Sequence, residues 1–110
     1  MDDVVEIKSV VGLMNYVRNA RPGVLVLVLF YTDWCGLCNV IAPEVAKLKK
    51  ERKDEVTACK VDVDSAEDVA RHCRIQYMPT IHFYKGGNKV EEVITGSKIR
   101  LITYVDRLTS

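Results

Sequence analysis

The chain has 110 residues, 48% of them hydrophobic and 28% charged, which is the composition of a globular domain rather than of a disordered or fibrous chain. Sixteen Lys and Arg against fifteen Asp and Glu leave a formal charge of +1, so phosphate neutralisation gives no basis for nucleic-acid binding. The longest purely apolar run, Val24 to Tyr31, is eight residues, far short of the ~20 that cross a bilayer.

The start, Met1-Asp2-Asp3, is acidic where a secretory leader needs a basic end, and the chain closes Leu108-Thr109-Ser110 with no retention tail. A soluble intracellular protein is expected. Residues 1–110 read as one uninterrupted domain, because no repeat, low-complexity tract or Pro/Gly/Ser-rich linker divides them. Val4 to Lys8 alternates as a short first strand. Ser9 can cap a helix that carries Val10, Leu13, Met14 and Val17 at helical spacing and breaks at Arg21-Pro22-Gly23. Val24 to Tyr31 is continuously aliphatic and aromatic, as a central strand covered on both faces must be. A second helix opens at Cys35 or its neighbour, with Ile41, Val45 and Leu48 on one side and Pro43 inside it as a kink. Lys47 to Glu55 reads as the solvated face and end of that helix.

Val56 to Val63 is the next strand, and a short helix follows with Ser65 as cap and Asp68 three residues on. Thr80 to Lys85 and Lys89 to Thr95 are strands joined through Gly86-Gly87-Asn88, a hairpin signal. Ser97 caps a last helix with Ile99, Ile102, Val105 and Leu108 as its buried stripe. The order βαβαβαββα predicts an α/β fold with a central mixed five-stranded sheet flanked by four helices.

A domain of this size buries roughly 65% of its unfolded surface, so its core needs no disulfide staples. Four cysteines, Cys35, Cys38, Cys59 and Cys73, are too few and too irregular for a secreted disulfide scaffold. Cys35-Gly36-Leu37-Cys38 follows the central strand and opens a helix, the context of a redox pair. A spacing of three places both sulfurs on one helical face. The unpaired N–H groups and partial positive charge of a helix start favour a thiolate at Cys35. Cys35 is then the nucleophile, and Cys38, one turn in, attacks the mixed disulfide and releases the substrate as a dithiol. Gly36 keeps the approach open and Trp34 supplies an apolar wall. Two other readings stand beside this one: a tetrahedral zinc site, for which Cys59, His72 and Cys73 offer no second Cys-x-x-Cys, and a purely structural pair.

Phe30-Tyr31-Thr32-Asp33-Trp34-Cys35-Gly36-Leu37-Cys38, Pro43, Lys60-Val61-Asp62-Val63-Asp64, Tyr77-Met78-Pro79-Thr80, Phe83-Tyr84-Lys85-Gly86-Gly87 and Thr95-Gly96 together resemble the thioredoxin family over essentially the whole chain, with Val61 to Gly96 leaning toward the animal cytosolic type. The resemblance implies the thioredoxin fold and a protein-disulfide reductase in the cytoplasm, a monomer or weak dimer that binds no metal or organic cofactor. Its electrons would come from NADPH through a thioredoxin reductase-like flavoenzyme, and its partners would be disulfide-bearing clients. It also implies a cis Pro79 beside the cysteines, where the residues alone allow a trans turn proline. Trp34, Met78, Pro79, Thr95 and Gly96 would line a shallow groove that reads clients through main chain, with Met78 offering backbone hydrogen bonds.

Two positions depart from the family pattern. Leu29 stands where thioredoxins carry a buried Asp beneath the second cysteine, which removes both a desolvation cost and the proton acceptor for Cys38. Lys60 loses that partner, and it either takes over as proton relay or points its ammonium to water. Leu37 replaces the usual proline, restores a backbone N–H near Cys35 and implies a somewhat weaker reductant. Cys59 reads as a small core hydrophobe. Cys73 reads either as a regulatory or dimer-forming thiol, as in animal thioredoxins, or as an inert half-buried one. His72 and His82 have no Cys or carboxylate company in sequence that suggests catalysis. From another functional class, a thioredoxin-fold binding module that captures clients with little turnover remains open, as does an oxidant or isomerase of the secretory pathway.

Overall fold

The computed structural model describes residues 4–110, and the acidic start Met1-Asp2-Asp3 lies outside them. The described elements are β1 (Val5–Glu6), α1 (Val10–Arg18), β2 (Leu25–Tyr31), α2 (Gly36–Glu51), β3 (Val56–Asp62), α3 (Glu67–His72), β4 (Thr80–Lys85), β5 (Asn88–Ile94) and α4 (Lys98–Thr109). The order is the expected βαβαβαββα. The sheet runs β1-β3-β2-β4-β5, with β3 parallel to both β1 and β2, and β4 antiparallel to β2 and β5.

The apolar run of β2 is explained by what covers it. Leu25, Leu27 and Leu29 face one core with Ile41, Val45 and Leu48 of α2 and Leu101 and Val105 of α4. Val26, Val28 and Phe30 face the other with Leu13 and Val17 of α1 and Val69 of α3. A period of two thus sends alternate side chains into two separate cores. The hairpin between β4 and β5 turns on Gly86 and Gly87, whose φ values of 62° and 84° lie where only glycine is comfortable.

Four expectations change at element ends and faces. Ser65 does not cap α3: the cap is Ala66, without a side-chain hydrogen bond, because the chain leaves β3 through a turn in which Ala66 N–H bonds the Asp62 carbonyl at 2.8 Å. Ile99 is not on the buried stripe of α4 but 78% exposed; Leu101 and Val105, four apart, are the buried pair. Met14 likewise lies on the exposed side of α1, and α2 ends at Glu51, so the run to Glu55 continues into a turn.

His82 gains in the structure the carboxylate company that it lacks in sequence. The β4–β5 register sets it opposite Glu92, and its Nε2 lies 3.8 Å from Glu92 Oε1, which Lys89 Nζ holds at 2.6 Å. The ring is buried edge-on against Phe30, with centroids 4.9 Å apart, and its Nδ1 has no hydrogen-bond partner among the described residues. Burial, helped by the Lys89 charge, lowers its pKa from 6.5 to about 4. The folded chain therefore refuses a proton that the unfolded chain accepts. This contribution is absent above about pH 6.5 and destabilises progressively as pH falls toward 4, by up to about 3 kcal/mol. Urea unfolding at pH 7 and pH 4.5 should show a smaller acid loss in His82→Leu than in the native chain; equal losses would refute the assignment.

Candidate active site

Residues 32–35 connect β2 to α2, and Cys35 is the N-cap of that helix, in extended conformation with φ −83° and ψ 113°. Its sulfur accepts the Cys38 backbone N–H at 3.2 Å, so the cap of the helix and its reactive sulfur are one atom. Cys35 is partly exposed, whereas Cys38, one turn in, is 1% exposed, and both are free thiols. Burial first, and then a hydrogen bond to the Cys35 sulfur, push the Cys38 thiol up to about 12. At neutral pH Cys38 is thus held as a thiol.

The sequence singled out Trp34, and the structure adds its partner. Trp34 is 72% exposed, yet its Nε1 donates to Asp64 Oδ2 at 2.8 Å, which fixes an open indole beside Cys35. The signal lay in the Asp62-Val63-Asp64 run after β3, whose turn is held by Asp64 N–H on Asp62 Oδ1 at 3.0 Å. The Met78–Pro79 peptide is cis, as the resemblance implied. The Thr80 hydroxyl donates to the Tyr77 carbonyl across this loop, and the Pro79 carbonyl accepts from Thr95 N–H at 3.2 Å. Thr95 itself is buried, with its hydroxyl accepting Ser97 N–H at 2.9 Å, so it braces the loop that leads into α4. Met78 is half-buried.

Gly96 and Leu37 form a pair that spacing could not reveal. A Cβ placed on Gly96 would meet Leu37 Cβ at 3.0 Å and Leu37 Cδ2 at 3.1 Å. Leu37, 58% exposed, therefore lies directly over the Gly96 backbone and joins the start of α2 to the start of α4.

In the sequence Thr32 figures only as part of the segment Phe30 to Cys38, with no role of its own. It is 0% exposed; its carbonyl accepts Cys35 N–H at 3.3 Å, and its backbone acts on the Cys38 thiol in the direction that lowers its pKa. Its hydroxyl has no partner among the described residues.

Leu29 is 1% exposed in the core beneath α2. Lys60 lies opposite it in the β2–β3 register, with Nζ 5.8 Å from the centroid of the Tyr31 ring. Cys59 is fully buried in the second core, its thiol pushed up to about 12 chiefly by burial. Cys73, at the end of α3, packs half-buried against the same core, and burial raises its pKa as well. Among the described residues, no group of three or more His, Cys, Asp or Glu could hold a metal ion, and no helix is long and apolar enough to cross a membrane.

Comparison with known proteins agrees with this geometry. The thioredoxin family model matches residues 12–107. A thioredoxin of the catfish Ictalurus punctatus is 44% identical over 90 residues, covering 81% of this chain and 83% of its own. A thioredoxin of Gallus gallus is 38% identical over 97 residues, covering 86% and 91%. The X-ray structure of Fasciola hepatica thioredoxin superposes with a TM-score of 0.87 at 33% identity, covering 94% of this chain and 98% of its own. A cis proline loop, a helix-capping cysteine with a buried second thiol, and a family match over nearly the whole length lead to one conclusion: this chain belongs to the thioredoxin family of thiol–disulfide oxidoreductases.

Proposed function

We propose that the chain, acting as one domain over residues 1–110, reduces protein disulfides with Cys35 as nucleophile and Cys38 as resolving thiol. The observation that carries this reading is the asymmetry of the pair: an open sulfur at a helix start, accepting an N–H at 3.2 Å, against a thiol that is 1% exposed. The Cys35 thiolate attacks one sulfur of a client disulfide, forming a mixed disulfide and expelling a client thiolate that takes a proton. Cys38 then attacks Cys35 Sγ. The Cys35–client bond breaks, Cys35–Cys38 forms, and the client leaves with both sulfurs reduced.

Trp34, Met78, Pro79, Thr95 and Gly96 form the groove for an extended client segment, with Leu37 at its rim beside Gly36. Reductase and disulfide-client partners follow from the family. Here we assign the reductase role to an NADPH-dependent flavoenzyme and the setting to the cytoplasm, whose reducing poise keeps such a dithiol supplied. An insulin-type assay with thioredoxin reductase and NADPH tests the reading. Cys35→Ser should lose turnover at least about a thousandfold, and Cys38→Ser should accumulate client as a mixed disulfide. Client capture without turnover by the native protein would instead indicate a binding module.

The resolving step has a predictable pH dependence. Forming the mixed disulfide removes the Cys35 contribution to the Cys38 pKa, but burial, the larger cause, remains. With Leu29 in place of a carboxylate, no internal base is supplied from that position. The rate of resolution should therefore climb with bulk pH through neutrality and above, as the Cys38 proton becomes easier to remove. Leu29→Asp should flatten and lower that profile while costing roughly 3 kcal/mol of stability in urea unfolding, because it buries a carboxylate. Superimposable profiles for the two proteins would remove the argument.

A further inference from the structure

A polar group sealed in an interior without a partner costs free energy, so an orphaned hydroxyl in a folded chain calls for a reason. Thr32 presents one beside the reacting sulfurs. Its carbonyl is committed to the cysteine pair, accepting Cys35 N–H at 3.3 Å, and its backbone acts on the Cys38 thiol in the direction that eases ionisation. The carbonyl bond ties the residue to the start of α2, and the side-chain torsion is left to turn. The hydroxyl, completely buried, bonds nothing among the described residues.

We propose that Thr32 is a positioning residue for the resolving step, its hydroxyl turning to donate a hydrogen bond to the Cys38 sulfur as that sulfur gives up its proton and attacks Cys35. The inference rests on the exchange reaction proposed above and names a group that eases it. The environment around Cys38 supplies the motive. Leu29 is aliphatic and buried, and the neighbouring charge that raises the Cys38 pKa is that of Cys35. Lys60 of β3 lies over the Tyr31 ring. Once Cys35 is tied up in the mixed disulfide, an emerging Cys38 thiolate would hold only backbone N–H bonds in an apolar wall. One further donor then matters, because hydrogen bonds to charged groups are about twice as strong as those to neutral ones.

The hydroxyl is not a base. The proton lost by Cys38 ends on the departing client thiolate, directly or through water, so the balance remains Cys38 thiol plus Cys35–client disulfide giving the Cys35–Cys38 disulfide plus client thiol. Thr32 stabilises the charge between those two states. A partnerless hydroxyl in the resting dithiol and a partnered one in the resolving step is the pattern of a group whose binding is reserved for the reacting state.

The test uses acid-quenched single turnovers of a peptide disulfide, with the mixed disulfide counted by mass, on the native chain, Thr32→Val and Thr32→Ser. Valine keeps the shape and the backbone bond to Cys35 but removes the hydroxyl, and serine retains it. In Thr32→Val the ratio of mixed-disulfide decay to formation should fall about tenfold at pH 7. Its decay profile should move to higher pH by about one unit, and Thr32→Ser should restore both. The urea midpoint of Thr32→Val should stay equal or rise, since a buried orphan has been removed. A native decay ratio in Thr32→Val, no rescue by serine, or a clear loss of midpoint would each overturn the proposal, the last by revealing that the hydroxyl already had a structural partner. If the native protein forms no mixed disulfide at all, the exchange reading falls, and this proposal with it.

Discussion

The backbone N–H of Cys38 pointing at the Cys35 sulfur, 3.2 Å away, is the contact on which the site depends. Three helices here have side-chain caps. Ser9 caps α1 through Gly12 N–H and Ser97 caps α4 through Arg100 N–H, while α2 uses a sulfur in the place where the others use a hydroxyl. Sulfur is the poorer acceptor, and a cap of the ordinary kind contributes about 1 kcal/mol. On stability alone serine would be the better residue. The fold gives up part of that contribution to hold a nucleophile in the positive end of a sixteen-residue helix. The remaining structure, a strand buried on both faces and a helix packed over it, keeps that helix start where it is.

Electrostatics in the two cores follow one theme: charge is kept out, and the polar groups admitted are neutral. β2 runs from Leu25 to Tyr31 without a titratable group until its last residue, and Leu29 continues that apolar pattern. Cys59 and Cys38 are held as thiols by burial, and His82 is held as neutral imidazole for the same reason. The consequence for chemistry is that Cys38 must ionise in an interior organised against ionisation. In the proposed resolving step that relief comes from a dipole, the hydroxyl that Thr32 carries just beyond the end of β2.

The alternation of Leu25 to Phe30, the helical spacing of Ile41, Val45 and Leu48, and the glycine pair of the hairpin were readable because each reflects a local periodicity or dihedral requirement. Cys-x-x-Cys after a central strand was readable for the same reason, since spacing and context together fix where the sulfurs lie. What escaped depends on pairings between distant residues. Ser65 has the right side chain for a cap, but the turn leaving β3 moves the helix start one residue on. Ile99 fits an apolar stripe by spacing, and only the packing of α4 turns it to solvent. Glu92 reaches His82 through strand register, and Asp64 reaches Trp34 through the turn after β3. Thr32 gave no signal because a threonine before a tight connection looks like a solvated loop residue, and its burial is a property of the folded whole.

Gly96 shows how such long-range constraints accumulate into one surface. Its lack of a side chain is explained by crowding: Leu37 occupies the space a Cβ would take, at 3.0–3.4 Å. A proline in place of Leu37 would present a ring there instead of a branched chain, so the change at position 37 and the glycine at 96 must be understood together. Gly96 follows Thr95, whose N–H bonds the Pro79 carbonyl, and precedes Ser97, whose N–H bonds the Thr95 hydroxyl. Leu37, Gly96, Thr95 and Pro79 are thereby linked through packing and hydrogen bonds from the start of α2 to the cis-proline loop. A residue between the two cysteines can then act in two separable ways, through the helix start that holds the sulfur and through the surface it shares with Gly96, which the proposed function assigns to the client.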